Sequence, residues 1–236
     1  MAEPLGLLSY GPNGWGDEIV AGLLVTIALA FVTLPIGIVL GFGLALAKNS
    51  GDARLARAAT IFTTTFRALP ELLTLLLIYY GGQIAIQKLF SALFGVYVEI
   101  SSFAAGVVAL SLVLSSFSSE VFLSAFRGIH RGQYEGAQAL GLGRGTTMRL
   151  VVAPQLIRLA LPGLSNLWLI LLKDTSLVSV IALSDLLRNV NVAVGVTKEP
   201  FLFYSVACLI YLGLAMISSV GLGGIERWAR RGEVVR

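Results

Sequence analysis

The chain has 236 residues, 56% hydrophobic and 13% charged, with a mean hydropathy of +0.86, a net charge of +4 and a pI near 9.4. Soluble domains carry roughly a quarter charged residues, so this balance excludes an ordinary soluble enzyme, a disordered chain and a nucleic-acid binder. One cysteine, Cys208, and one histidine, His130, leave no disulfide framework and no metal-ligand cluster. The expectation is an all-α integral membrane protein, a single transmembrane domain over residues 1–236 with five spans.

Residues 1–18 lack both the Lys/Arg start and the apolar core of a signal peptide. The first span, 19–47, carries no charge before Lys48. It exceeds the roughly 20 residues needed to cross a hydrocarbon core of about 30 Å, so it is expected to tilt or to end outside the core. Within it, Gly37 and Gly41 form a small-xxx-small pattern that lets a neighbouring helix approach closely.

The second span, 61–83, contains Arg67 and Glu71 at the i, i+4 spacing of a helical ion pair, with Pro70 between them. Pro70 has no N–H for the Phe66 carbonyl, so the helix is expected to be broken there. A broken helix beside a carboxylate is a common way to build a transport site near the bilayer midplane. Tyr79, Tyr80 and Tyr97 suit an outer interfacial belt, and Trp228 an inner one.

The third span, 103–126, holds Glu120, one turn after Ser116 and deeper toward the charged side. The fourth, 161–183, holds Trp168 and then Lys173, Asp174, Thr175 and Ser176 near its middle. Ionisable groups at that depth cost about 2.5–3.5 kcal/mol each on insertion scales, so each must face a cavity or a partner. Two readings follow. Glu71, Glu120 and Asp174 line a polar pathway that favours a cationic group, or Arg67–Glu71 and Lys173–Asp174 are satisfied pairs that hold helices together. The fifth span, 201–225, is uniformly apolar.

Twelve of the 17 Lys and Arg residues fall in the gaps after spans one, three and five, three fall on the opposite side, and Arg67 and Lys173 lie inside spans. This places the N-terminus outside and the C-terminus in the cytoplasm. An odd number of spans without an internal repeat makes half a pathway, to be completed by a second copy or a similar subunit.

The only long cytoplasmic segment, 127–160, is expected to form a helix over 133–140 and a left-handed corner at Gly141. A second short helix over 146–152 should then stop near Pro154. Here the sequence resembles the coupling-loop signature of ABC-importer permeases: Glu-Ala-Ala, three residues, Gly, nine residues, Ile, one residue, Leu-Pro. Glu135, Ala137, Gly141 and Pro154 occupy matching positions, whereas Gly136, Val151 and Ala153 depart from it. The stretches RALPELLTLLLIYYG at 67–81, SSEVFLSAFRGIHRGQYEGAQALG at 118–141 and LKDTSLVSVIAL at 172–183 are similar to motifs of polar amino-acid permeases. The nearest pattern is that of histidine/lysine/arginine/ornithine and opine permeases.

The resemblance implies the type I importer permease fold in a bacterial inner membrane. Its implied partners are a second permease subunit, two cytoplasmic ATP-binding cassette subunits and a periplasmic solute-binding protein. On that analogy Glu135 contacts basic groups of the ATPase and Gly141 permits the tight corner. Arg131 and Arg144 either pair with acidic groups there or simply set topology. No G-x-x-x-x-G-K-[ST] phosphate loop is present, so ATP–Mg would be bound only by a partner and this chain is not expected to be an enzyme. Two other classes, a membrane-embedded enzyme and a stand-alone ion-coupled carrier, lack respectively a metal cluster and the second half of a repeat.

Overall fold

The computed structural model describes residues 4–12 and 14–229. Those residues form helices and connections, with no strand among them. Five stretches are long and apolar enough to cross a membrane: Gly16–Lys48, Glu71–Phe94, Ser102–Gly128, Arg144–Ile181 and Pro200–Ala229.

Helix α1 (Gly16–Lys48) is 33 residues long, about 50 Å at 1.5 Å per residue. It lies along α5 (Ser102–Gly128), and this pair is the spine of the molecule. The close approach depends on the two glycines: a Cβ on Gly37 would lie 2.6 Å from the Leu114 side chain, and one on Gly41 would collide with Ser118. Ser118 Oγ instead donates to the Gly37 carbonyl at 3.1 Å. Ser111 Oγ likewise reaches across to the Thr33 carbonyl of α1 at 3.5 Å, while Ser115 and Ser116 bond back to Leu112 and Ser119 to Ser116 within α5. Their hydroxyls therefore need no water inside the bilayer.

Helix α2 (Ala53–Ala68) begins at Asp52, whose carboxylate accepts from the Arg54 and Leu55 amides, and ends before Pro70. Leu69 and Pro70 are extended, with ψ of 141° and 132°. The cause is twofold: proline cannot bond the Phe66 carbonyl, and its ring drives the preceding residue out of the helical region. Helix α3 (Glu71–Leu76) restarts the run, continues through a π segment at Leu77–Gly81, and ends as α4 (Gly82–Phe94) at the left-handed Gly95. The apolar second span thus starts at Glu71 and runs to Phe94, beyond the expected 61–83. The Gln83 side chain ties α4 to the segment that follows it, donating to Val98 O at 3.0 Å and accepting from the Ile100 amide at 2.7 Å.

After α5 come α6 (Arg131–Ala139) and α7 (Arg144–Thr147), then a π segment at Met148–Val152 that leads directly into α8 (Ala153–Asp174). The expectation that Pro154 stops a helix is overturned. Pro154 sits in the first turn of α8, where a missing N–H is tolerated, and the widened π turn absorbs the change of register before it. At Thr175 the fourth span tightens into a 3-10 helix, Thr175–Ile181, which ends at Ala182 with φ of +60°. A helix absent from the sequence expectations, α9 (Leu186–Thr197), follows, and α10 (Pro200–Ala229) closes the chain.

Three apolar clusters hold these elements. The central one joins Leu29, Leu75, Leu110, Leu114, Leu171 and Val178 across α1, α3, α5, α8 and the 3-10 segment. A second ties Ala45, Phe122, Phe126, Val152 and Leu156 together beneath the loop helices. At the opposite end Ile19, Leu186, Val190 and Phe203 pack α9 against the starts of α1 and α10. Much of α10 faces outward, with Leu209, Ile217 and Val220 exposed, as suits a helix bathed in lipid or covered by another subunit.

Candidate functional site

The intramembrane charges sort into two groups, and not in the pairs that spacing suggested. Because the chain is extended at Leu69 and Pro70, Arg67 at the end of α2 and Glu71 at the start of α3 are not one turn apart on one face. Arg67 Nη1 instead reaches Glu120 Oε1 on α5 at 3.0 Å, lying 5.8 Å from the centre of the Phe117 ring. Lys48 Nζ meets the same carboxylate at 2.6 Å and also donates to Ser119 Oγ at 3.1 Å. The Arg67–Glu71 pair is therefore corrected to a Lys48–Glu120–Arg67 network. Lys48, read from sequence only as the first cytoplasmic charge, is almost fully buried in it.

The second group forms where two helices change form. Glu71 opens α3 just after the break, and Asp174 closes α8 just before the 3-10 turn. Their carboxyl groups lie side by side, within hydrogen-bonding reach. Neither forms an ion pair among the described residues. Lys173 is exposed and makes no ion pair with its neighbour Asp174. Thr175 and Ser176 donate back to the Leu172 and Lys173 carbonyls, both at 2.7 Å, so their hydroxyls serve the helix end first. Trp168 packs against Phe31 with ring centroids 5.1 Å apart and planes tilted by 56°, on the wall of an apolar groove of about 390 Å³ between α1, α8 and α10.

At the opposite site, α6 ends in a Schellman turn. Gly141 has φ of +72°, its N–H bonds the Gln138 carbonyl at 2.9 Å, and the Leu142 N–H bonds that of Ala137 at 3.0 Å. Ala137 is buried against the body, with Tyr134 beside the inner cluster. Gln155 Nε2 on α8 donates to Gln133 Oε1 on α6 at 3.1 Å. Glu135, Arg131 and Arg144 point outward, the first two in a loose 3.6 Å pair. Leu140, at the corner itself, is 80% exposed.

Just outside the fourth span, Asp185 is fully buried and caps α9 by accepting from the Arg188 amide at 3.0 Å. Burial pushes its carboxyl up to about 6 against the pull of backbone hydrogen bonds, and its second oxygen has no hydrogen-bond partner among the described residues. Among the described residues no cluster of His, Cys, Asp and Glu could hold a metal ion.

Residues 33–231 match the family described as binding-protein-dependent transport system inner membrane component. The chain belongs to that family. It is 38% identical to the nopaline transport system permease protein of Agrobacterium fabrum, over 97% of this chain and 98% of that one. Identity to the arginine ABC transporter permease protein of Haemophilus influenzae is 39%, over 86% of this chain and 89% of that one. A crystal structure of an amino acid ABC transporter with histidines superposes with a TM-score of 0.77 at 32% identity, covering 90% of this chain and 94% of that one. The protein is thus a multi-pass inner-membrane permease of the ABC transporter class, working with ATPase and binding-protein partners, and the ATPase activity resides in the former. A membrane-embedded enzyme and a stand-alone carrier are not favoured by this kinship.

Proposed function

We propose that this permease imports amino acids or opines that carry a cationic group, with Glu71 and Asp174 receiving that group. The observation that carries this is the pair of adjacent carboxyls at two helix breaks with no ion pair to either among the described residues, Lys173 acting on Asp174 only from beyond ion-pair distance. Two carboxylates so close repel one another unless a proton or a cation lies between them, and a guanidinium or ammonium meets that need. Arginine and nopaline, named for the two relatives above, share a guanidinium. Arg67, Pro70 and Glu120 border the same pathway, and Thr175 and Ser176 shape the turn that presents Asp174.

The orientation follows from the Lys and Arg distribution, with the N-terminus outside and the C-terminus in the cytoplasm. The working importer has two permease subunits, this one and a copy or a similar chain, and two ATPase subunits that bind ATP–Mg. Each ATPase subunit receives a knob made of α6, the Gly141 corner and α7. In that knob Leu140 enters the partner's groove, Glu135, Arg131 and Arg144 meet complementary charge around it, and Ala137 and Pro154 keep the knob rigid on the body.

The test is uptake of radiolabelled L-arginine by the complete importer in proteoliposomes, with Glu71→Gln beside wild type. Losing one charged hydrogen bond of about 1.5–3 kcal/mol should raise the half-saturating concentration at least tenfold. A concentration dependence identical to wild type would remove Glu71 from the pathway.

A further inference from the structure

The Lys48–Glu120–Arg67 network has a composition that a helix clamp does not require. Its two cations are unlike: the Lys48 side chain is 5% exposed and locked between Glu120 and Ser119, whereas that of Arg67 is 42% exposed. Arg67 lies in the last turn of α2, next to the extended residues Leu69 and Pro70. Its guanidinium has a carboxylate on one side and the Phe117 ring at 5.8 Å on the other, the surroundings that suit any planar cation. Phe117 also lines the small cavity that Asp174 borders, so about one turn of α5 separates that cavity from Glu120. Beyond Glu120 a cavity of about 520 Å³ opens toward the end of α5, lined also by Ser124, Gly128 and Gly163.

We infer that Glu120 and the face of Phe117 form a second, inner station for the substrate's guanidinium or ammonium group, and that Arg67 is a tethered occupant which a passing substrate displaces. This rests on the proposed pathway through Glu71 and Asp174. The buried Lys48 stays in place throughout and keeps the station weak, because a site on a conduction path must bind loosely enough to release. The open space beside Glu120 accepts the remainder of the substrate. With no substrate present, Arg67 fills the station beside Lys48, as in this structure.

The test is equilibrium binding of radiolabelled L-arginine to the purified importer, permease and ATPase subunits together, without its external binding protein. Wild type should show one class of site, lost in Glu71→Gln. Arg67→Met should add a second class, about tenfold tighter than any residual inner binding in wild type, the worth of one charged hydrogen bond. That second class should vanish in Arg67→Met/Glu120→Gln and persist in Arg67→Met/Glu71→Gln. Arg67→Gln replaces Arg67→Met if the latter fails to assemble. If removing the guanidinium leaves the wild-type curve unchanged, the inner station is overturned while the outer site stands. Binding seen only after removal of Arg67 supports the station and overturns the outer pair, and binding in neither protein overturns both.

Discussion

Gly141 and Asp185 each make a distinct demand, one of conformation and one of environment. Gly141 adopts φ of +72°, where an L side chain costs about 1–2 kcal/mol, and nothing crowds the position its Cβ would take. The requirement is therefore one of backbone rather than of space, which is why the glycine was legible from sequence as a corner. Asp185 was not legible, because its burial depends on Gly22: a Cβ there would lie 2.7 Å from the Asp185 carbonyl. The cost of burying the Asp185 carboxyl is a cost of its charged form. With a native pKa near 6 against an ordinary 3.8, the folded chain binds the proton more tightly than the unfolded one. Stability should therefore fall as pH rises from about 4 to 6 and stay level above, the full loss being on the order of 3 kcal/mol. Asp185→Asn keeps an acceptor for the Arg188 amide, so it should raise the thermal midpoint in detergent at pH 7.5 and flatten the profile between pH 4 and 6. A midpoint lowered at pH 7.5 would mean that the charge itself is stabilising.

At the scale of elements, the α1–α5 pairing and the Pro70 break make the next demands. Gly37→Val would drive a branched side chain into Leu114, which lies against the position of the missing Cβ. Overpacking of that kind typically costs about 1–3 kcal/mol, so the unfolding midpoint should drop, whereas Gly43→Val, with open space around it, should leave it unchanged. Equal effects at the two positions would contradict the packing described. Pro70→Ala lets α2 continue into α3, which would bring Arg67 and Glu71 to i, i+4 and draw the guanidinium away from Glu120. Arginine uptake should fall at least tenfold with assembly intact; wild-type uptake would show that the break is dispensable. The small-xxx-small stripe was visible in sequence because it depends on spacing within one helix. The partners of Arg67 and Lys48 were not, because both reach across to α5 at Glu120, and a break seen in sequence does not reveal where the cut end turns. Pro154 misled for a related reason: a proline ends a helix or begins one according to the turn before it, here a π segment.

On the scale of the whole molecule, the five apolar spans and the knob divide the work. The spans hold two groups of intramembrane carboxyls, Glu71 with Asp174, which form no ion pair among the described residues, and Glu120, which pairs with two cations. The knob projects from the opposite end on the cluster of Phe122, Phe126 and Leu156, which links it to α1, α5 and α8. Movement of the knob therefore reaches the same helices that carry Glu120 and Asp174. The fold class and the span count were legible because apolar length is a property of composition. The knob's apolar tip at Leu140 was not, since one leucine among many becomes informative only when the turn holds it outward.

The most direct measurement is copurification of ATPase activity with the tagged chain from its native bacterium in mild detergent, wild type beside Gly141→Asp. A permease coupled through the Gly141 corner predicts an ATPase bound to wild type and lost from a variant that still inserts and folds. A stable, folded wild-type chain that brings down no ATPase would contradict it.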